Sequence, residues 1–365
     1  MKWLRFTLYT ALLLLILCVV FVLLLVIFMN PDRLKPALVT TLSKQTGYVV
    51  TVDGHCSWSF YPVLGVKVAH MAFAKTAIQT PFIDLQGITF ITKPAALLRG
   101  ELGYSQFYID EARLLNILLQ HVQVGLVWKE KQLFLNPITA SLYGGQLKGT
   151  VTGSALQDLP RWQMNWQATQ VALQPLLQAV QAKQGRVTLS GLGDVSLVVR
   201  TQGNTQDQLL SNLNGVTSIQ VSQGGIEGID LNGIISSAEA IINRQAVSPL
   251  IITNRTTIDR MSGVFDIKNG IATTRNTTIE APTFSIKAFG DLNLPAETMA
   301  WQWQIFLKKY AKADFAIPVT ITGNMTNPTV RLDVTELNIE LAKAKFKNVM
   351  NKIGEELNKH FSGEE

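Results

Sequence analysis

The sequence lacks the residue patterns that most enzymes and metalloproteins need. Its four histidines, at positions 55, 70, 121 and 360, have no second ligand at helical or hairpin spacing, so no metal site is predicted. Neither a Gly-x-Ser-x-Gly elbow nor a His-Glu-x-x-His pair is present, and Gly191-Leu192-Gly193 lacks the third glycine of a dinucleotide fingerprint. We therefore predict no catalytic residue, no cofactor and no enzymatic activity.

Carboxylates are scattered over the predicted strands, and nothing marks two of them as a pair. A glycosidase needs two carboxylates that face each other across a cleft, and solvated outer-face residues explain these positions better. The carboxylates are Asp84, Asp110, Glu111, Asp266, Glu280 and Asp291.

Disulfides and nucleic-acid-binding patches are missing as well. Cys18 lies inside a long apolar run and Cys56 beyond it, so the two thiols cannot pair and the fold must be held by its core. The net charge of +6 is spread along the chain. No basic patch with interleaved aromatic residues accompanies it, which excludes nucleic acid as the expected partner.

What the sequence does have is one apolar run at its N-terminus. No charged residue lies between Arg5 and Asp32, and a helix of about 20 apolar residues crosses a bilayer. We predict a transmembrane anchor over residues 1–30, with a short cytoplasmic N-terminus because Lys2 and Arg5 precede the run. A cleaved signal peptide is the alternative, but its apolar core is usually about 7–15 residues long.

Beyond residue 30, apolar and polar residues alternate with a period of two. Trp162, Met164 and Trp166 alternate with Gln163 and Asn165, as half-buried strands do. The pattern predicts a mainly β fold of about sixteen antiparallel strands. Three short helices are predicted as well, over 173–180, 205–213 and 231–243.

Glycines and loops divide these predicted strands. Gly191 and Gly193 are expected to split residues 185–200 into two short strands, and Gly224-Gly225 to end a strand over 216–221. Residues 245–257 are expected to be irregular, and Asn269-Gly270 to form a hairpin turn.

The last predicted element is an amphipathic helix after Asp333, which forms a capping box with Glu336. Lysines populate its polar sides. Such a helix covers the end of a sheet or lies on a membrane surface, and the sequence leaves both interpretations open.

The predicted organisation has four parts. These are an anchor at 1–30, a β region at 31–200, a second β region at 201–334 and the C-terminal helix at 335–365. One continuous sheet through both β regions agrees equally well with the sequence.

An apolar sheet face has to be covered, yet only the helices predicted at 231–243 and after residue 334 are long enough to do so. The sheet therefore closes into a sandwich or leaves an apolar trough. A trough suits acyl chains, because burying roughly 30 methylenes is worth on the order of 20 kcal/mol. The candidate lining residues are Trp162, Met164, Trp166, Phe284, Ile286, Trp301, Trp303 and Ile305.

A series of turn motifs, in a fixed order, resembles the AsmA family of Gram-negative envelope proteins. Each motif alone is weak, but their order is specific. They are Asn30-Pro31, Gly47-Tyr48-Val49-Val50, Leu142-Tyr143-Gly144-Gly145, Leu213-Asn214-Gly215, Gly224 to Leu231, Phe265 to Gly270, Gly290 to Pro295, and Ile317-Pro318-Val319 with Ile321-Thr322-Gly323 and Asn327-Pro328.

The resemblance implies an inner-membrane protein, anchored once, with the bulk of its chain in the periplasm. It implies an elongated, curved β groove like that of chorein-type bridge proteins, with phospholipid as cargo and the outer membrane or its assembly proteins as partners. A non-catalytic scaffold for outer-membrane protein assembly is the alternative function. The family has no known catalytic residues, so none are assigned here.

Overall fold

The computed structural model describes residues 48–343 with gaps at 60–64, 77–78, 93–104, 131, 156–157, 181–187, 230, 244, 246–254 and 311–314, and also residues 32, 35–36, 39–40 and 43–44. The anchor predicted at 1–30 lies outside these residues. Among the helices within them, none is both long enough and apolar enough to cross a membrane.

The fold is mainly β, as predicted: sixteen strands form one open antiparallel sheet in which each strand pairs with the next along the chain. The strands are β1 (Val49–Ser59), β2 (Gly65–Ala74), β3 (Ile83–Thr92), β4 (Ser105–Leu114), β5 (Ile117–Lys129), β6 (Gln132–Leu142), β7 (Gly145–Ser154), β8 (Arg161–Ala172), β9 (Thr188–Gln202), β10 (Asn214–Glu227), β11 (Arg255–Lys268), β12 (Ile271–Glu280), β13 (Phe284–Asn293), β14 (Thr298–Leu307), β15 (Ile317–Asn324) and β16 (Asn327–Leu332).

Short helices interrupt the strands near the predicted places. They are α1 (Leu173–Val180), α2 (Gln206–Ser211), α3 (Leu231–Ile242) and a C-terminal helix described over 334–343. The Thr205 hydroxyl accepts from Gln208 N at 3.3 Å and caps α2. The Asp333 carboxylate accepts from Glu336 N at 2.9 Å and caps the C-terminal helix, so the predicted capping residue is confirmed.

Three of the predicted breaks are wrong. Strand β9 runs unbroken through Gly191 and Gly193, β10 continues through Gly224-Gly225, and β11 begins at residue 255. The reason is close strand approach, because a Cβ on Gly224 would lie 2.5 Å from Ser190 O. These glycines leave room for a register shift between β9 and β10 rather than ending a strand.

The chain divides into two compact units, the first over residues 1–129 with 135–140 and the second over 130–134 with 141–365. In the first unit, directly opposed residues of β2 to β5 put one apolar row on one face, namely Val66, Phe90, Phe107 and Val124. The proposed division at residue 200 stays a prediction.

The second unit holds the main hydrophobic core, which lies against the last strands. Leu231 and Ala238 of α3 and Leu337 of the C-terminal helix join buried residues of β11 to β15 in one cluster. Burying each such side chain contributes about 1.5–3 kcal/mol. At this end of the second unit, the helices complete a packed interior.

Candidate functional site

Strand β8 carries three of the eight candidate residues on one face. Trp162, Met164 and Trp166 are half-buried, whereas Gln163 and Asn165 between them are exposed. Met164 packs against the edge of the main core. This row is therefore apolar, adjoins the core and keeps part of its surface accessible.

Both indole residues of β8 lie opposite glycines of the neighbouring strand. Gly149 and Gly153 of β7 lie directly opposite Trp166 and Trp162. A Cβ on Gly149 would lie 2.3 Å from Cε3 of Trp166. The Trp166 ring therefore occupies the space next to the β7 backbone that a side chain at position 149 would fill.

The other five candidates lie on β13 and β14, and they are buried. Ile286 pairs directly with Ile305, and the residues opposite Trp303 and Trp301 are the small Ala288 and Gly290. Trp301 and Trp303 are only 7% and 5% exposed, and the remaining three at most 2%. Their role in lining a groove stays a prediction.

Register places the candidates of both strand sets on the same face of the second unit. Trp166 is opposite Leu197, which is opposite Thr217, which in turn is opposite Phe265. The Phe265 ring then stacks on Trp301 with centroids 5.9 Å apart. The structure therefore joins the β8 row and the β13–β14 row into one apolar face.

Packing holds the two buried indoles of β14. The Nε1 atoms of Trp301 and Trp303 are buried, and neither has an acceptor among the described residues. A buried donor without an acceptor costs about 1–3 kcal/mol. The large ring areas offset that cost, since each indole buries 150–250 Å² as a general rule.

Sequence reasoning missed the apolar row of the first unit. Around buried Cys56, Val68 and Ile88, the side chains of Leu85 and Phe107 are only half-buried. The signal was present in the period-two alternation of residues 82–91, but no residue there was singled out. The first unit thus presents a second partly accessible apolar surface.

One charged cluster ties the residues just after the predicted anchor to β1. Asp32 accepts from Cys56 N at 2.8 Å and pairs with Lys35 at 2.7 Å, while Lys35 also donates to Gly54 O. The hydrogen bond from Lys35, ahead of the one from Cys56, holds the pKa of Asp32 at about 2. The same carboxylate raises the pKa of Lys35.

The edge of β1 is partly closed by these contacts. The Ser43 hydroxyl accepts from Val50 N at 3.3 Å, in addition to the bond between Asp32 and Cys56 N. Unpaired edge groups would otherwise recruit another strand. Burial raises the pKa of the Cys56 thiol, which suits a packing residue better than a nucleophile.

A further titratable cluster centres on His70, which contacts Asp53 at 3.4 Å and Asp84 at 3.2 Å. Over the part of the chain that the structure describes, no group of three or more His, Cys, Asp or Glu residues is arranged to hold a metal ion. The apolar face formed by β8, β13 and β14 offers the binding of apolar groups.

Comparison with protein families gives one match: a family model described as the AsmA family matches residues 1–124 and 106–277. Comparisons with curated proteins and with solved structures gave no significant match.

Proposed function

Because the chain belongs to the AsmA family, we propose that it carries phospholipid along the apolar face of its open sheet. Family membership agrees with lipid transport or envelope assembly in general. The observation that carries the proposal is the half-buried apolar row of β8, which adjoins a core yet stays accessible. No covalent step is involved, and the protein acts without catalysis.

The physical basis of transfer is the cost of exposing acyl chains to water. Each methylene moved from an apolar surface into water costs about 0.8 kcal/mol. A face that keeps Trp162, Met164 and Trp166 in contact with the chains lowers that cost along strand β8. Transfer then needs only successive small displacements along the sheet.

The location in the cell is part of the same proposal. The run at residues 6–29 anchors the chain in the inner membrane, and the strands lie in the periplasm. Asp32 and Lys35 fix the chain after the run to β1. Lipid leaving the membrane along the anchor therefore meets the first strands of the sheet.

A photocrosslinking experiment tests the proposal on the full chain in cells. We would place benzoylphenylalanine at Trp166, on the apolar face, and at its neighbour Gln167, which is exposed on the other face. The Trp166 probe should yield a phospholipid adduct by mass spectrometry, and the Gln167 probe should not. Adducts at neither position, with both variants folded, would contradict lipid transfer.

Further probes at Phe284 and Trp301 decide how far the path extends. Adducts at these residues require the packed interior to open, because both are at least nine-tenths buried. If only Trp166 reacts, the lipid path is confined to the half-buried strands.

A scaffold for outer-membrane protein assembly is the second candidate function. The open sheet leaves β1 and β16 at its edges, and edges recruit other strands. The backbone amides of Cys56 and Val50 already donate to side chains, so β1 is less available than β16 for pairing with another strand. Protein crosslinks from β16 without any lipid adduct would favour this candidate.

A further inference from the structure

The polar face of the second unit, opposite the apolar row, holds a cleft of about 650 Å³. Its side chains come from β7 to β11 and include Thr152, Gln163, Arg200 and Asn214. A smaller cavity of about 330 Å³ shares the last three of these residues. The two depressions adjoin, and together they reach the size of a small-molecule site.

Three cations stand along this cleft. Asn214 lies directly opposite Arg200, and continuing the register of β10 and β11 puts Lys268 on the other side of Asn214. Arg161 pairs with Gln202, two residues from Arg200, and so lies diagonal to Arg200. The cleft therefore concentrates positive charge over four adjacent strands.

Within the part of the chain that the structure describes, no carboxylate forms an ion pair with these cations. Its ion pairs all involve other residues. Asp266 is on the same face, two residues before Lys268, yet it joins none of those pairs. Like charges on neighbouring strands repel each other, and an anionic ligand between them would reduce the repulsion.

A network of amides fixes the floor of the cleft. Asn214 Oδ1 accepts from Asn269 N at 3.1 Å, and Asn214 Nδ2 donates to Asn212 O at 2.8 Å. Asn212 Nδ2 in turn donates to Gln202 O at 3.0 Å. The ends of β9, β10 and β11 are thus locked together before any ligand binds, which lowers the entropic cost of binding.

The remaining side chains indicate the chemical class of the ligand. Gln163 and Asn165 offer both donors and acceptors, and Thr152 adds a hydroxyl, so they match sugar hydroxyls, which also do both. Val198, 56% exposed on the cleft floor, suits the apolar face of a sugar ring. Arg200 suits a phosphate or carboxylate, since guanidinium binds oxyanions in a bidentate manner.

We propose that this cleft binds an anionic glycan, a polyhydroxylated ring compound that carries phosphate or carboxylate. The oxyanion lies between Arg200 and Lys268, and the hydroxyls contact the amides of Gln163 and Asn165. The site does not depend on lipid transfer, because the strand register puts Gln163, Arg200 and Asn214 on the face opposite the apolar row, although Met164 of that row also borders the cleft. A lipid adduct at Trp166 and glycan binding are therefore separate measurements.

The test uses the full chain in lipid nanodiscs and ligand-observed saturation-transfer NMR. The probes are maltotriose 1-phosphate, maltotriose, inorganic phosphate and a tetraglutamate peptide. The test variant is Arg200→Gln with Lys268→Gln. The control, Arg260→Gln with Arg331→Gln, removes the same charge from exposed strand positions outside the cleft.

We expect maltotriose 1-phosphate to bind better than the other three probes. Its dissociation constant should rise at least about tenfold in the test variant, because two charge-assisted contacts are lost, and should stay within about twofold in the control, where only screened surface charges change. Equal binding of maltotriose, phosphate or peptide would overturn the proposed ligand class. Equal loss in both variants would overturn the site.

Discussion

Replacing Ile305 by alanine tests whether the end of the apolar face is a filled interior or an open surface. Ile305 has no exposed area, and its direct cross-strand neighbours Ile286 and Ile317 are 1% and 0% exposed. All three belong to the same buried cluster. Removing most of this side chain therefore leaves a cavity that the two paired strands can hardly fill.

The expected loss follows from this environment. Isoleucine-to-alanine changes in packed cores cost about 2–5 kcal/mol, and the loss grows with the cavity that remains. Since Ile305 is flanked by buried residues on both sides, we expect about 3–5 kcal/mol. Val198→Ala, which removes a 56% exposed side chain on the other face, should change the stability by at most about 0.5 kcal/mol.

Met164→Ala supplies an intermediate case. Its side chain is half-buried at the edge of the core, so we expect a loss of about 1 kcal/mol, roughly half the value of full burial. The loss of stability should therefore decrease in the order Ile305→Ala, Met164→Ala, Val198→Ala, and this order is as informative as the individual losses.

The assay is urea unfolding of the full chain in nanodiscs, followed by tryptophan fluorescence. The midpoint and slope give the free energy of unfolding for each variant. If Ile305→Ala and Val198→Ala lose the same small amount, β14 does not face a packed interior. The distinction between a sealed end and a half-open row would then be wrong.

Three further predictions concern single contacts. Asp32→Asn should speed hydrogen exchange at the Cys56 amide several-fold at neutral pH. Because the pKa of Asp32 is lowered to about 2, the wild-type contact should persist above pH 4 and be lost only as the pH falls through about 2; rapid exchange at pH 4 would contradict it. Gly149→Ala should lower the free energy of unfolding by about 1–3 kcal/mol, and by less in a chain that already carries Trp166→Ala. Equal losses in both backgrounds would exclude a contact between residue 149 and the Trp166 ring. In a Cys18→Ser chain, the Cys56 thiol should react with maleimide only slowly until urea unfolds the sheet. Fast labelling of the folded protein would show that the thiol is accessible to solvent.

The alternation of apolar and polar residues predicted the strands well, because period two is a local property of the chain. The row of β8 follows directly from Trp162, Met164 and Trp166, and the Asn269-Gly270 turn between β11 and β12 is confirmed. The prediction is wrong where a glycine inside a strand is interpreted as a break. Gly191 and Gly224 occupy a place where two strands approach closely, which depends on the neighbouring strand and not on the local sequence.

The spacing of glycine and tryptophan contained a signal that sequence analysis left unused. Gly149 and Gly153 are four residues apart on β7, as are Trp162 and Trp166 on β8, so one antiparallel register pairs both sets at once. Pairing a large ring with a glycine fixes strand register by shape. The cleft on the polar face gave no such signal, because Arg161, Arg200 and Lys268 meet only through the register of four strands.

Two covering helices explain why, within the second unit, one face of the sheet is fully buried at β11 to β15 but only half-buried at β8. Only α3 and the C-terminal helix were expected to be long enough to cover strands, and both pack into the core beside β11 to β15. No described helix adds a buried residue over the β8 row except α1, whose Leu173 packs at Gly193 of β9. Full burial of β8 would need a further apolar element of comparable area. An acyl chain supplies such an area without ordering more protein, so the half-buried row, rather than the sealed strands, is the part of this face best suited to hold one.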